Sequence, residues 1–168
     1  MIIMEADTRK KYLLTAFISL SVIILDQCTK YLIIKSFALH QSLSIIENYL
    51  TIIHIRNKGI AFGLFSGQGS GTRTIFLIIT SLFAIAFIFY LLSSLRGRQT
   101  YATVTLALIL GGAIGNLIDR MRWGEVVDFI DFHWYRYHWP AFNCADSAIS
   151  VGLVLLLIGI VTKKFPSQ

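Results

Sequence analysis

Charge is scarcest in this sequence where a soluble protein would need it most. Residues 74–95 contain no Asp, Glu, Lys or Arg, and residues 100–118 contain none either. Residues 141–162 hold one charge, Asp146, and residues 12–34 hold two, Asp26 and Lys30. Only 14% of the chain is charged and 55% is hydrophobic, against about 25% and 45–50% in soluble domains. Cysteine is nearly absent. Cys28 and Cys144 lie in or beside apolar runs without CxxC or Cys/His spacing, so both read as small buried helix residues. There is no HExxH, which excludes that type of zinc protease, and the four histidines (His40, His54, His133, His138) lack close metal spacing. Ser66 sits in Gly63-Leu64-Phe65-Ser66-Gly67, which is not the GxSxG elbow of a serine hydrolase. Internal repeats and low-complexity segments are missing too.

What is present fits a membrane. A transmembrane helix needs roughly 20 apolar residues to cross a hydrocarbon core of about 30 Å. The four segments named above meet that length, so four spans are expected at about 12–34, 74–95, 100–118 and 141–162, in a single integral membrane domain covering residues 1–168. The formal net charge is +6, but the cations flank apolar runs: Arg9, Lys10 and Lys11, then Arg96 and Arg98, then Lys163 and Lys164. That placement is topogenic and not a nucleic-acid patch. With an even number of spans, the three clusters fall on one side, the cytoplasm, and both termini with them. The outer loops also carry cations (Lys35, Arg56, Lys58, Arg73, Arg120, Arg122, Arg136), so the bias supports this orientation without forcing it. The first span resembles a signal peptide, yet no small-x-small cleavage site follows. Asp26 and Gln27 spoil a lipoprotein box before Cys28, so an uncleaved helix is expected.

Two outer loops look structured. Residues 49–56 are rich in β-branched and aromatic types, Asn57-Lys58-Gly59 supplies a turn, and an apolar run resumes over residues 60–65. This predicts a small hairpin or sheet at the membrane surface, followed by a glycine-rich exit over residues 66–71. In the second loop, Phe129, Phe132 and Trp139 could share one face of a short helix lying in the interface, where Trp and Tyr are favoured.

Ionisable residues in or beside spans are costly and need a reason. Asp26, Asp119, Asp128 and Asp146 all fall toward the outer end, although independent placement would scatter them. Asp146 lies about one turn into the fourth span, beside Asn143. Alone it could simply be a carboxylate favoured by a helix N-terminus. Asp128 alone could be a solvated or capping residue. Together they form a candidate dyad. Two close carboxylates cannot both ionise easily and titrate as a unit, so one can activate water while the other donates a proton. Asn116 and Arg120 are spaced i, i+4 and share a face, where Arg120 either holds a carboxylate or carbonyl through its planar fork or snorkels. Asp26 and Lys30, also i, i+4, most simply neutralise each other. Ala107, Gly111 and Gly115 form a small-xxx-small packing stripe. A proton-relay transporter would spread acids through the membrane depth, and a non-enzymatic scaffold would need no paired Asp.

These blocks resemble the lipoprotein signal peptidase (signal peptidase II) family of bacterial intramembrane aspartic proteases, over nearly the whole chain and in order. Asp26-Gln27-Cys28-Thr29-Lys30 is similar to its D-Q-x-T-K, and Asn57-Lys58-Gly59-Ile60-Ala61-Phe62 to its N-x-G-x-A-F. The run from Gly111 to Arg120 matches its G-G-A-x-G-N-L-I-D-R. Val126-Val127-Asp128-Phe129 and Phe142-Asn143-Cys144-Ala145-Asp146-Ser147 resemble its two catalytic blocks.

The resemblance implies a membrane all-α fold with a small β element: four transmembrane helices, an extracytoplasmic β-cradle at about 37–66, and a mobile interfacial helix at about 129–139. It implies Asp128 and Asp146 as the catalytic pair, with Asn57, Gly59, Asn116, Arg120 and Asn143 positioning substrate, and Asp26 and Lys30 as structural support. No metal or cofactor is expected. The implied substrate is a diacylglyceryl-modified prolipoprotein cut just before its lipid-bearing Cys, and globomycin-like peptides would inhibit. A monomer in the bacterial cytoplasmic (inner) membrane suffices, its site facing outward, with lipid as its surroundings and no nucleic-acid partner. Cys144 replaces a common Ile or Val. Glu125 stands where other residues are usual, and would raise the pKa of Asp128 if the two were close.

Overall fold

A computed structural model of the chain describes residues 2–59, 70–95 and 99–162. Its elements run α1 (Ile2–Ser36), β1 (Ser42–Ile46), β2 (Leu50–Asn57), α2 (Ser70–Ser94), α3 (Thr100–Trp123), β3 (Val126–Trp134), β4 (Tyr137–His138) and α4 (Cys144–Val161). All four helices are long and apolar enough to cross a membrane. Their outer faces are apolar and bare: Phe83, in the middle of α2, is 73% exposed. In water such a surface would aggregate, whereas hydrocarbon solvates it. The chain is a multi-pass membrane protein.

α3 is the central helix. It packs against α1, α2 and α4, while the α2 backbone runs close to no other helix among the described residues. Antiparallel to α3, α2 contributes Ile88, Leu92 and Leu95 to a core with Ala102, Leu106 and Leu110. On another face the Ala107/Gly111/Gly115 stripe lets α1 come close: Ser19 Oγ donates to the Ala107 carbonyl at 2.8 Å, and a Cβ on Gly111 would lie 2.8 Å from Val22 Cβ. Gly112 turns toward α4, where a Cβ would strike the Ala145 carbonyl oxygen and lie 2.7 Å from Ile149. Close backbone approach replaces the hydrophobic drive that is missing between helices in lipid. At the end remote from the sheet, Lys11 is buried and donates to the carbonyls of Leu92 and Leu95 at 2.8 and 2.9 Å. One cation of the first basic cluster therefore closes the C-terminus of α2, where the helix dipole favours positive charge. The clusters at 96–98 and 163–164 lie outside the described residues.

The four strands form one antiparallel sheet in the order β1-β2-β3-β4. The expected extended segment at 49–56 forms β2, shifted by one residue to Leu50–Asn57. It pairs with β1 before it (Leu43 opposite Ile52) and with β3 after it (Ile52 opposite Ile130). Residues 60–66, expected to complete the cradle, lie outside the described residues, as does most of the expected glycine-rich exit.

The expected interfacial helix at 129–139 is not formed. Residues 126–134 are a nine-residue strand, and a turn at Tyr135 (φ 52°) returns the chain as β4. Phe129 is buried while Phe132 and Trp139 are exposed, so the three share no face. The cause is tertiary. β2 presents an open edge of backbone donors and acceptors, and an aromatic, β-branched segment satisfies it better than an isolated helix could satisfy itself. Helix ends also shift: α1 starts at Ile2 instead of near residue 12, and α3 continues to Trp123 instead of 118. Gly124 (φ 74°) then stops α3, its N–H bonding the Arg120 carbonyl, and releases the chain into β3. Cys28 is exposed on the outer face of α1 and not buried as expected.

Because Gly112 sits against α4 backbone, Gly112→Val should destabilise the bundle by about 1–3 kcal/mol or more. Gly71→Ala, where a Cβ meets nothing within 4 Å, should be neutral. Thermal unfolding in detergent checks this; equal midpoints for the two variants would contradict the packing described.

Candidate active site

Three charged side chains are almost wholly buried where α1, α3, β3 and α4 converge: Lys30 (1% exposed), Asp26 and Asp119 (both 0%). Buried charge is tolerated only when paired and fully hydrogen-bonded. Lys30 Nζ reaches Asp26 Oδ2 at 2.8 Å, Asp119 Oδ2 at 2.9 Å and Asn116 Oδ1 at 3.0 Å, which uses its three donors. Gln27 Nε2 donates to Asp119 Oδ1 at 3.0 Å and to Asp26 Oδ2 at 3.2 Å. The remaining carboxylate capacity takes backbone N–H groups: Asp26 Oδ1 accepts from Ala145 N at 2.9 Å, and Asp119 Oδ2 from Val127 N at 3.1 Å. So Asp26 docks the positive end of α4, and Asp119 docks the first residues of β3. The expected mutual neutralisation of Asp26 and Lys30 is present, within a larger cluster.

The dyad residues follow from these two anchors. Asp128 is one residue beyond Val127, and Asp146 one beyond Ala145. Between them sits Asn143, fully buried, as the N-cap of α4. Its Oδ1 accepts from Asp146 N at 2.9 Å, and its own backbone N–H donates to Asp146 Oδ2 at 3.3 Å, a reciprocal capping box. With Oδ1 committed, Nδ2 points the other way and donates to Asp128 Oδ1 at 2.7 Å. One asparagine therefore holds both carboxylates. Asn116 Nδ2 donates to Asp146 Oδ1 at 2.7 Å, its orientation set because its Oδ1 accepts from Lys30. Asn57 Nδ2 donates to Asp128 Oδ2 at 2.8 Å, and its Oδ1 accepts from Gly59 N at 2.7 Å. Gly59 adopts φ +69°, a conformation that favours glycine, and a Cβ there would lie 2.5 Å from Leu77 Cδ1, which would have to shift.

Each dyad carboxylate thus takes two N–H donors, all neutral. Asp128 is 2% exposed and Asp146 is half-buried. Burial, first of all, pushes the Asp128 carboxyl up to about 6. The Asn57 bond opposes that, the neighbouring Asp146 charge reinforces it, and the Asn143 bond and Lys30 oppose it. A pocket of about 330 Å³ opens beside Asp128, lined by Ile55, Arg56, Asn57, Lys58, Pro140 and Ala141.

Arg120, one turn past Asn116 on α3, is not hydrogen-bonded to either dyad residue among the described contacts. Its Nη1 donates to Ser81 Oγ of α2 at 3.2 Å. Glu125 pairs with Lys58 at 3.6 Å and is not among the groups that shift the Asp128 carboxyl. Gln27 was not singled out for a role by sequence reasoning, although it bridges Asp26 and Asp119. Its position beside Asp26 in the first block was the available signal.

Comparison with known proteins identifies the family. Residues 18–162 match the family model described as signal peptidase (SPase) II. The lipoprotein signal peptidase of Syntrophotalea carbinolica is 48% identical over 137 residues, covering 82% of this chain and 84% of the relative. That of Geobacter sulfurreducens is 44% identical over 145 residues, covering 86% and 89%. A solved structure described as a bacterial membrane enzyme superposes with a TM-score of 0.77 at 32% identity, covering 92% of this chain and 93% of that one. With a family match across most of its length and relatives this similar, the chain belongs to the signal peptidase II family and is an aspartic protease of the bacterial membrane.

Proposed function

We propose that the chain cuts diacylglyceryl-modified prolipoproteins just before the lipid-bearing Cys, with Asp128 and Asp146 as the catalytic pair. The observation that carries this reading is the shared Asn143, which bonds both carboxylates at once. Two close acids fixed by neutral donors hold one proton between them. The ionised member takes a proton from water, and the oxygen of that water attacks the scissile carbonyl carbon. The protonated member hydrogen-bonds the developing oxyanion. As the tetrahedral intermediate collapses, the C–N bond breaks and a proton passes to the departing amine of the lipid-bearing Cys. Asn57, Gly59, Asn116 and Asn143 orient the pair and the peptide, Arg120 takes a substrate carbonyl, and Asp26 with Lys30 keeps the elements together.

The substrate's acyl chains stay in the bilayer, so the site opens sideways. Helix packing supports an opening between α2 and α4, which flank α3 without touching each other closely among the described residues. Basic residues at the termini support cytoplasmic ends and an outward-facing dyad in the bacterial inner membrane. Trp134, Tyr135, Tyr137 and Trp139, all exposed on the β3–β4 hairpin, suit the outer interface. The sheet and four helices act as one integral membrane domain, a monomer completes the site, and globomycin-like peptides occupy it as inhibitors.

Purified chain in detergent should cleave a diacylglyceryl-modified prolipoprotein peptide in the presence of a chelator. Asp128→Asn and Asp146→Asn should each lose activity by a factor on the order of 10³ or more. Wild-type rates in either variant would break the pairing.

The pH profile is a second check. Activity needs one proton on the pair, so it falls as pH rises through the upper apparent pKa. Asn57 stabilises the charged form of Asp128. Its removal in Asn57→Ala raises that pKa, and the alkaline limb should move to higher pH. A hydrogen bond of about 1 kcal/mol corresponds to roughly 0.7 of a pH unit. A limb that stays put or moves down would contradict the role given to Asn57.

A further inference from the structure

The dyad does not explain how Arg120 is held. Its Nη1 donates to Ser81 Oγ at 3.2 Å, and that hydroxyl donates its only proton to the Leu77 carbonyl at 2.7 Å. A serine hydroxyl has one proton and two lone pairs. With the proton directed along α2, the lone pairs are left for the guanidinium. Beyond Ser81 toward its C-terminus the α3-facing side of α2 is hydrocarbon, with Ile85, Ile88, Leu91 and Leu92 packed there, while at its N-terminal end Thr74 Oγ1 donates to the Gly124 carbonyl at 3.2 Å. The α2 backbone runs close to no helix except α3 among the described residues, and the α1 side chain that reaches it, Lys11, does so at its C-terminal end. The Ser81–Arg120 bond is therefore a polar link between the α2 wall of the proposed opening and the α3 face that carries Asn116.

The charges around Arg120 make that link consequential. Asp146 on α4, Asp119 on α3 and Asp128 on β3 all attract its guanidinium, and behind them stand Lys30 and Asp26 of α1. An unanchored arginine beside two carboxylates would close on one of them as a bidentate pair. That pair would hold the carboxylate ionised and remove the shared proton from the dyad. Anchored through Nη1, the guanidinium has other N–H groups free for a neutral acceptor.

We propose that Ser81 is a positioning residue: it holds the Arg120 guanidinium off the dyad carboxylates and aims it at a carbonyl oxygen of the substrate in the opening between α2 and α4. The proposal rests on reading Asp128 and Asp146 as the catalytic pair.

The isosteric variants Ser81→Thr and Ser81→Val separate hydroxyl from packing. The full chain in detergent would be assayed on the lipid-modified peptide for kcat, KM, pH profile and thermal midpoint. Ser81→Thr should keep wild-type kinetics. Ser81→Val should lose kcat/KM by a factor on the order of ten, the effect of one hydrogen bond, with KM raised. Its alkaline limb should move to lower pH, because a collapsed Arg120 favours the ionised dyad. Ser81→Ala should behave as Ser81→Val. Kinetics and pH limb unchanged in both Val and Ala variants, or equal losses in Thr and Val, would overturn the proposal, as would a change confined to the thermal midpoint. Failure of the underlying reading would show differently, as full activity in Asp128→Asn or Asp146→Asn whatever Ser81 does.

Discussion

The buried ammonium of Lys30 is the constraint on which the rest depends. A charge at 1% exposure is untenable unless every donor is occupied, and its three partners lie on two helices: Asp26 on α1, Asn116 and Asp119 on α3. Meeting that demand fixes the rotation of α1 on α3. It also leaves each aspartate with capacity to spare, and that capacity is filled by the N–H of Ala145 and the N–H of Val127. The two segments that carry the catalytic candidates are thus registered against one ion cluster. Replacing Lys30 with a neutral residue would leave two buried carboxylates without their cation, and both docking points would weaken together.

How much of this was legible beforehand depended on whether a residue's role is set locally. The four spans were visible because an uncharged run of that length has few other uses. The clustering of Asp26, Asp119, Asp128 and Asp146 toward one end of the spans was visible because acids in spans are rare. The strand at 126–134 was not. Its aromatic spacing fits a helical face and a strand about equally well, and the open edge of β2, distant in sequence, decided between them. Ser81 was not legible at all. A serine bonded to its own helix at i−4 is ordinary, and only the position of Arg120 across the helix interface gives it a further meaning. Asn143 was flagged as lining the site, but its bridging role needs α4 to begin where it does.

Membrane placement and chemistry impose one further requirement. Near hydrocarbon, an isolated carboxylate is driven to take up a proton, whereas a carboxylate bonded to lysine or arginine is driven to lose it. A dyad that must hold one proton and release it within each turnover needs something between these limits. Here the donors to Asp128 and Asp146 are amides: Asn57, Asn116, and both the side chain and the backbone of Asn143. Amides stabilise the ionised form modestly and do not fix it. The full charge of Lys30 reaches Asp146 at one remove, through the Asn116 amide that it orients. Burial and the Asp146 charge raise Asp128, while hydrogen bonds and Lys30 lower it, and the outcome near 6 lies close enough to neutrality for a proton to move either way. Direct contact with a cation would abolish that balance. Keeping Lys30 one amide away, and Arg120 tied to the neighbouring helix, would give the proposed pair an electrostatic environment strong enough to orient water and peptide and weak enough to leave the proton free.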